Sequence, residues 1–342
     1  MSFSDFFEVS VEQEIADTSM GKPHVVLLGA GASKAALPRG DKNGIPVPLL
    51  RDVAADLDLA RLFPSDLTAM AATDFEAAYS RLFERGPEHV REIDSRVAAY
   101  FSKLELPDEP NLYDVLLLCL RSKDAIFTFN WDPFLMQSRM RLAKFGIARL
   151  PKMFFLHGNV AVGFCSTDGV NGVNGGACSR CGDPFAPSRF LFPVEKKNYQ
   201  EDRFIKREWE AVRAHLESTF MLTIFGYSAP TTDVEAISLL KQGWGKVRDR
   251  NMEQTEIINR PGSDHDALEK TWKPFIHTHH CEIHDSFYDS WLANHPRRSG
   301  EAYWNQYYET KFVSKNAVPQ DAPSISGLVD WFKPLLRVEE TE

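Results

Sequence analysis

The chain has 342 residues, 43% of them apolar and 12% aromatic, with a formal net charge of -9 and a pI near 5.6. That much apolar sequence can bury a large core, which excludes a disordered chain, and the acidic balance excludes a protein that grips nucleic acid through a broad basic face. No run of about 18 apolar residues occurs, and residues Met1 to Glu8 lack a basic stretch followed by an apolar one. Neither a membrane span nor a secretory signal is therefore expected, and the cytoplasm is the expected compartment. The five cysteines, Cys119, Cys165, Cys178, Cys181 and Cys281, are odd in number and bunched in one segment, a pattern that fits a reducing compartment better than a disulfide framework.

In chain order, His24 to Leu28 is a short, wholly apolar run that ends in Gly29 and Gly31, and it reads as a buried parallel strand. Residues 48–120 carry apolar positions at helical spacing and predict a helical layer, with a last helix over Leu112 to Leu120. Ala125 to Phe129 predicts a second strand, and Asp132-Pro133 behind it signals the start of a helix running to Lys144. Lys152 to Leu156 predicts a third strand, ending at His157-Gly158. Residues 158–187 are rich in Gly, Asn and Ser and hold three cysteines, so a loop-rich excursion is expected. Beyond it come a helix around Glu208 to Leu216, a strand over Phe220 to Phe225 that stops at Gly226-Tyr227-Ser228, and a helix opened by a capping-box pattern, Thr232-Asp233-Val234-Glu235. Glu256 to Asn259 predicts one more strand, and residues 261–342 supply a final strand and packing helices. Strands alternating with helices imply an α/β fold: a Rossmann-like parallel sheet with helices on both faces, plus the helical layer and a small cysteine-containing lobe.

In such a sheet, ligands bind beyond the carboxyl ends of the strands, so polar residues there are the site candidates. Gly29-Ala30-Gly31 with Ser33 is suited to the close approach of a pyrophosphate, and equally to a bare turn. Asn130 and Asp132 read either as site residues or as turn and N-cap residues. His157, beside a glycine at a strand end, is placed for general-base work, against the alternative of a structural histidine. Gly226, Ser228 and Asn259 divide between ligand contact and turn chemistry.

Two thiols separated by two residues, Cys178 and Cys181, have the spacing of a zinc knuckle, and a metal-free knuckle is the competing reading. Residues 277–284 hold four histidines and Cys281; His277, His279 and Cys281 would share one face of a strand, read chiefly as structural and in the minority as a metal site. Lys196, Lys197, Arg203, Lys206 and Arg207 form a basic run, read as a solvated helix face.

Taken in order, Gly29-Ala30-Gly31-Ala32-Ser33, Gly44-Ile45-Pro46, Thr128-Phe129-Asn130-Trp131-Asp132, Leu156-His157-Gly158, the cysteine knuckle, Gly226-Tyr227-Ser228 and Ile258-Asn259 resemble the sirtuin superfamily over roughly residues 23–260. Within it, the stretch from Pro187 through Phe192-Pro193, Lys196-Lys197 and Trp209 to Gly226-Tyr227-Ser228-Ala229-Pro230-Thr231-Thr232-Asp233 is more similar to the sirtuin-like NADases of bacterial antiphage defence than to the protein deacylases. The deacylase phrases Asp-Phe-Arg after Gly-Ile-Pro and Phe-Gly-Glu after the knuckle are replaced here by Val47-Pro48-Leu49 and Leu191-Phe192-Pro193. The resemblance implies one catalytic domain over 1–342 that hydrolyses NAD+ to nicotinamide and ADP-ribose. Gly29, Ala30, Gly31 and Ser33 would line the phosphates, Gly226, Ser228 and Asn259 the cofactor's adenosine side, and Asn130, Asp132 and His157 the nicotinamide ribose. It also implies zinc on Cys165, Cys178 and Cys181, with Asp168, Asp183 or a histidine as fourth ligand, and Val162 where the family has another cysteine. Self-association, or a defence partner such as a helicase-like ATPase or a nucleic-acid sensor, is the implied control. A sirtuin-type deacylase and a sensor of NAD or ADP-ribose without catalysis are the competing functions.

Overall fold

A computed structural model describes residues 7–49, 52–192, 199, 202–229 and 233–340. Six parallel strands form the main sheet: β1 (His24–Leu28), β2 (Ala125–Thr128), β3 (Lys152–Phe155), β4 (Met221–Phe225), β5 (Gln254–Ile258) and β6 (Cys281–His284). Their order is β3-β2-β1-β4-β5-β6. Every residue of β1, β2, β4 and β5 is buried, so β1, β2 and β4 read as mainly apolar runs, whereas β5 buries Gln254, Thr255 and Glu256 ahead of its two isoleucines. Leu27, Leu28, Phe127, Leu222 and Ile224 are fully shielded, each worth about 1.5–3 kcal/mol of burial.

Strand order reverses between β1 and β4, which pair in register from His24–Met221 to Leu28–Phe225. At such a switch point the two following loops leave in opposite directions and open a crevice at the carboxyl ends. The helical layer comprises Val53–Asp56, Thr68–Thr73, Phe75–Glu84, Arg91–Phe101 and Leu112–Leu118, the last opened by a capping box at Asn111.

Residues 158–187 are more ordered than their composition predicts. They form a three-stranded antiparallel sheet in which Val162–Cys165 lies between Val170–Val173 and Ala186–Pro187. The helix Arg203–Ser218 joins this lobe to the main sheet through the buried Glu208. One carboxylate oxygen accepts the Phe155 N–H of β3 at 2.6 Å, and the other accepts the Asn171 side-chain amide at 3.0 Å. Burial pushes the Glu208 carboxyl up to about 7.

The last helix, Ile325–Glu339, is fastened by charge as well as by apolar packing. Glu339 takes the guanidinium groups of Arg297 at 2.5 Å and Arg298 at 2.7 Å, and Arg297 also donates to the carbonyls of Leu118 and Leu120 at the end of a layer helix.

One local expectation is overturned. His277 and His279 precede the last strand, which begins only at Cys281, so the three do not share a strand face. Among the described residues they belong to no group of three convergent metal-ligating side chains. The capping box expected to open the helix Val234–Trp244 falls on Thr232, which lies outside the described residues; Asp233, just before the helix, accepts from the Tyr227 hydroxyl at 3.0 Å.

Candidate active site

A cleft of about 980 Å³ opens where the strand order reverses, and it is lined by Gly29, Ala30, Gly31, Ser33, Asn130, Asp132, His157, Gly226, Ser228 and Asn259. Ten residues from the loops after five strands thus share one cavity.

The loops after β1 and β4 touch backbone to backbone. The Gly29 N–H donates to the Phe225 carbonyl at 3.0 Å, and the Gly31 N–H donates to the Gly226 carbonyl at 2.9 Å. Gly226 has φ +64, and a Cβ there would stand 2.2 Å from the Ala32 nitrogen. Both glycine amides expected to face a pyrophosphate are therefore spent on protein carbonyls, and the glycines answer first to this loop contact. Ala30 is the first residue of the helix Ala30–Ala36, and it lines the cleft.

Asn130, Asp132 and Ser33 form one buried network. The Ser33 hydroxyl lies 2.7 Å from Asp132 Oδ2, 2.6 Å from the Tyr113 hydroxyl and 2.9 Å from Asn130 Nδ2. An ionised carboxylate can only accept, so Ser33 donates to Asp132 and receives from Tyr113 and Asn130, which fills its capacity. The Ser33 side chain thereby belongs to the protein network at the edge of the cleft. Asn130 Nδ2 also donates to the Gly29 carbonyl at 3.0 Å, while its Oδ1 takes no hydrogen bond from the described residues. Asn159 clamps the turn from behind, donating to the backbone carbonyls of Asn130 at 3.1 Å and Asp132 at 2.6 Å.

Burial pushes the Asp132 carboxyl up to about 6, against donation from Ser33 and the Phe134 amide. Burial, and Asp132 behind it, hold the Tyr113 phenol well above its ordinary range, so it stays a donor. A raised folded-state value means that the native chain holds the proton where the unfolded chain, near 3.9, has released it. Stability from this group is full below about 4 and is lost as pH rises through about 6. The Asp132→Asn variant should accordingly show a shallower fall in denaturation free energy between those pH values, measured by urea titration; an unchanged slope would refute the assignment.

His157 is buried, with Nε2 3.1 Å from the Tyr199 hydroxyl and its ring edge-on to Phe129 at 4.9 Å. Phe129 in turn stacks on Tyr227 at 4.1 Å, which makes an aromatic wall beside the imidazole. Asn259 closes the far end of the cleft, its backbone N–H on the His284 carbonyl and its Oδ1 on the Arg260 amide. Tyr113, Asn159 and Tyr199 were not singled out in the sequence. Asn159 had a signal in its place directly after His157-Gly158, whereas Tyr113 and Tyr199 had none.

Away from the cleft, Cys165, Asp168, Cys178 and Cys181 bring their ligand atoms within 4.8 Å of one another. Cys165 Sγ and Cys181 Sγ are 3.6 Å apart, close to the edge of about 3.8 Å in a tetrahedron built on ~2.3 Å zinc–sulfur bonds. Backbone amides of Asp168 and Arg180 donate to the sulfurs of Cys165 and Cys178, each at 3.4 Å. The fourth position is taken by Asp168, with Oδ2 at 3.2 Å from Cys178 Sγ; Asp183 meets Cys178 only through its backbone carbonyl.

No family model matches the chain, and no curated protein matches it. Among solved structures it is similar to Sir2 in complex with the inhibitor EX-527, 2'-O-acetyl-ADP-ribose and a deacetylated p53 peptide, at 15% identity and a TM-score of 0.39, covering 84% of this chain and 94% of that one. A structure of Sir2 with p53 peptide and NAD+ matches at 16% identity and a TM-score of 0.40, covering 91% and 99%. One described for the structural basis of sirtuin substrate affinity matches at 15% and 0.41, covering 90% and 99%. Likeness at these scores carries no argument about chemistry. Among the described residues no helix is long and apolar enough to cross a membrane.

Proposed function

We propose that the chain is an NAD+ glycohydrolase that cleaves the bond between nicotinamide and ribose. The observation that carries this reading is the meeting of Ala30, Asn130, Asp132, His157 and Asn259 in one cleft at the reversal of strand order, a usual seat for a dinucleotide. The pyrophosphate would span the loops after β1 and β4, with the Ala30 amide toward it. The adenosine would lie toward Ser228 and Asn259, and the nicotinamide ribose toward Asn130, Asp132 and His157.

Departure of nicotinamide leaves positive charge on the ribose, which the Asn130 amide oxygen and the Asp132 carboxylate stabilise electrostatically. The imidazole of His157 takes the proton of a water as that water attacks the anomeric carbon, giving ADP-ribose. Ser33 and Tyr113 act by holding Asp132 and Asn130 in place. The purified chain should convert NAD+ to nicotinamide and ADP-ribose with no peptide present, read by chromatography of the products. Nicotinamide release that requires an acylated peptide would transfer the protein to the deacylases, and saturable NAD+ binding with no product under either condition would make it a sensor.

We further infer that this NAD+ loss serves defence against phage, under the control of self-association or a partner protein. That reading rests on the sequence phrase between Pro187 and Asp233, of which residues 193–198, 200–201 and 230–232 lie outside the described residues. Cellular NAD+ should fall after phage infection in bacteria expressing the chain, and an unchanged level across a panel of phages would remove it.

The Cys165, Asp168, Cys178 and Cys181 group fits zinc, which would hold the small lobe together and supply no chemistry to the cleft. Elemental analysis should find one zinc per chain, and Cys178→Ser should lose it and lower the melting temperature by a few degrees, on the order of 1–2 kcal/mol. Metal-free protein of unchanged melting temperature would leave a bare knuckle.

A further inference from the structure

A second cavity, of about 420 Å³, lies at the opposite end of the sheet from the cleft. Gln254 and Cys281, the first residues of β5 and β6, form its floor, and Tyr303, Tyr307 and Tyr308 of the neighbouring segment form a wall. Its size falls in the range of about 300–1,000 Å³ usual for small-molecule sites. The three rings are inclined to one another: Tyr303 and Tyr307 are 4.7 Å apart at 38°, and Tyr303 and Tyr308 are 6.2 Å apart at 64°. Glu282, His279 and His280 complete the lining with one carboxylate and two imidazoles.

The charge balance at this wall is negative. Glu282 and Glu256 share one imidazole, His284, at 3.5 and 3.2 Å, which leaves one negative charge over when that histidine is protonated. His284 is raised to about 10 by these two carboxylates, so it is protonated at neutral pH. Glu253 is paired with Lys22. The phenols of Tyr303 and Tyr307 are raised by burial and then by nearby anions that include Glu282, and Tyr308 by burial and Glu253. The rings therefore stay neutral, with electron-rich faces. His280 is depressed by burial and by His279 and His277, against Glu253, and adds no positive charge at neutral pH.

The hydrogen-bonding groups of Tyr303 and Gln254 are already committed. The Tyr303 hydroxyl donates to Gln254 Oε1 at 3.0 Å, and Glu282 Oε1 accepts from Gln254 Nε2 at 3.4 Å. A cation that needs acceptors finds few, while a methylated ammonium needs only net negative charge and aromatic faces. Metal ligation is set aside because, among the described residues, the convergent ligand group lies in the small lobe. From this combination of cavity, tyrosine wall and surplus carboxylate, we propose that the pocket binds a quaternary-ammonium head group.

The test is calorimetry on the full chain with choline chloride, its neutral isostere 3,3-dimethyl-1-butanol, and a peptide carrying trimethyl-lysine. Saturable choline binding is expected, at least about tenfold tighter than the neutral alcohol, and Tyr307→Ala should weaken it by about tenfold. Tyr307 is 52% exposed, so the variant should keep its melting temperature and its NAD+ turnover. Tighter binding of the peptide than of choline would make the source a methylated protein, and the reverse a free metabolite. Equal binding of choline and the alcohol, no saturation by any probe, or an unaffected Tyr307→Ala variant would each overturn the proposal. None of these results depends on activity in the cleft.

Discussion

His157→Ala should lower NAD+ turnover by about 10²–10⁴-fold, the usual contribution of a positioned general base, with little change in NAD+ affinity. The imidazole is buried against Phe129 and Tyr199, so its removal also loses the contact of Nε2 with the Tyr199 hydroxyl at 3.1 Å. That loss costs about 1–3 kcal/mol of stability, and turnover must be compared at temperatures where both proteins are folded. Asn130→Ala should lose turnover comparably, because it deletes the amide oxygen that takes no hydrogen bond from the described residues and frees the carbonyl of Gly29. Wild-type turnover in both variants would exclude the catalytic roles assigned here, whatever their melting temperatures.

Gly226→Ala should damage the fold and the cleft together. Its φ of +64 disfavours any side chain, and the added carbon would stand 2.2 Å from the nitrogen of Ala32 and 2.4 Å from the carbonyl carbon of Gly31. Both neighbours are backbone, so neither can swing aside. The loops after β1 and β4 must separate, breaking the Gly31 to Gly226 hydrogen bond, at a cost on the order of 3 kcal/mol or more. Denaturant titration should record that loss and calorimetry a parallel loss of NAD+ binding. A variant of normal stability would mean that the two loops are not in contact.

The central strands β1, β2 and β4 were legible because burial on both faces writes them as mainly apolar runs. His24–Leu28 is found at the limits that the sequence predicts, and the others within two residues. Site candidates were legible for a related reason: polar residues directly after such runs stand at the carboxyl edge whatever the order of the strands. What the sequence could not display is which polar groups pair across long separations. Ser33 and Asp132 are 99 residues apart, and Ser33 and Tyr113 are 80. Tyr113 sits in a helix whose pattern explains it as core. The small lobe was read as loop because its strands are short and glycine-rich, and their pairing is set by the contact partners instead of by local preference.

Glu208 has a consequence for how copies of this chain can associate. β3 is an outer strand of the sheet, and a free outer strand is a template on which a second molecule can add its own. The carboxylate of Glu208 occupies the outward amide of Phe155, and its other oxygen ties the small lobe across the same flank. Copies of this chain that associated by continuing the sheet through Phe155 would therefore have to displace that carboxylate.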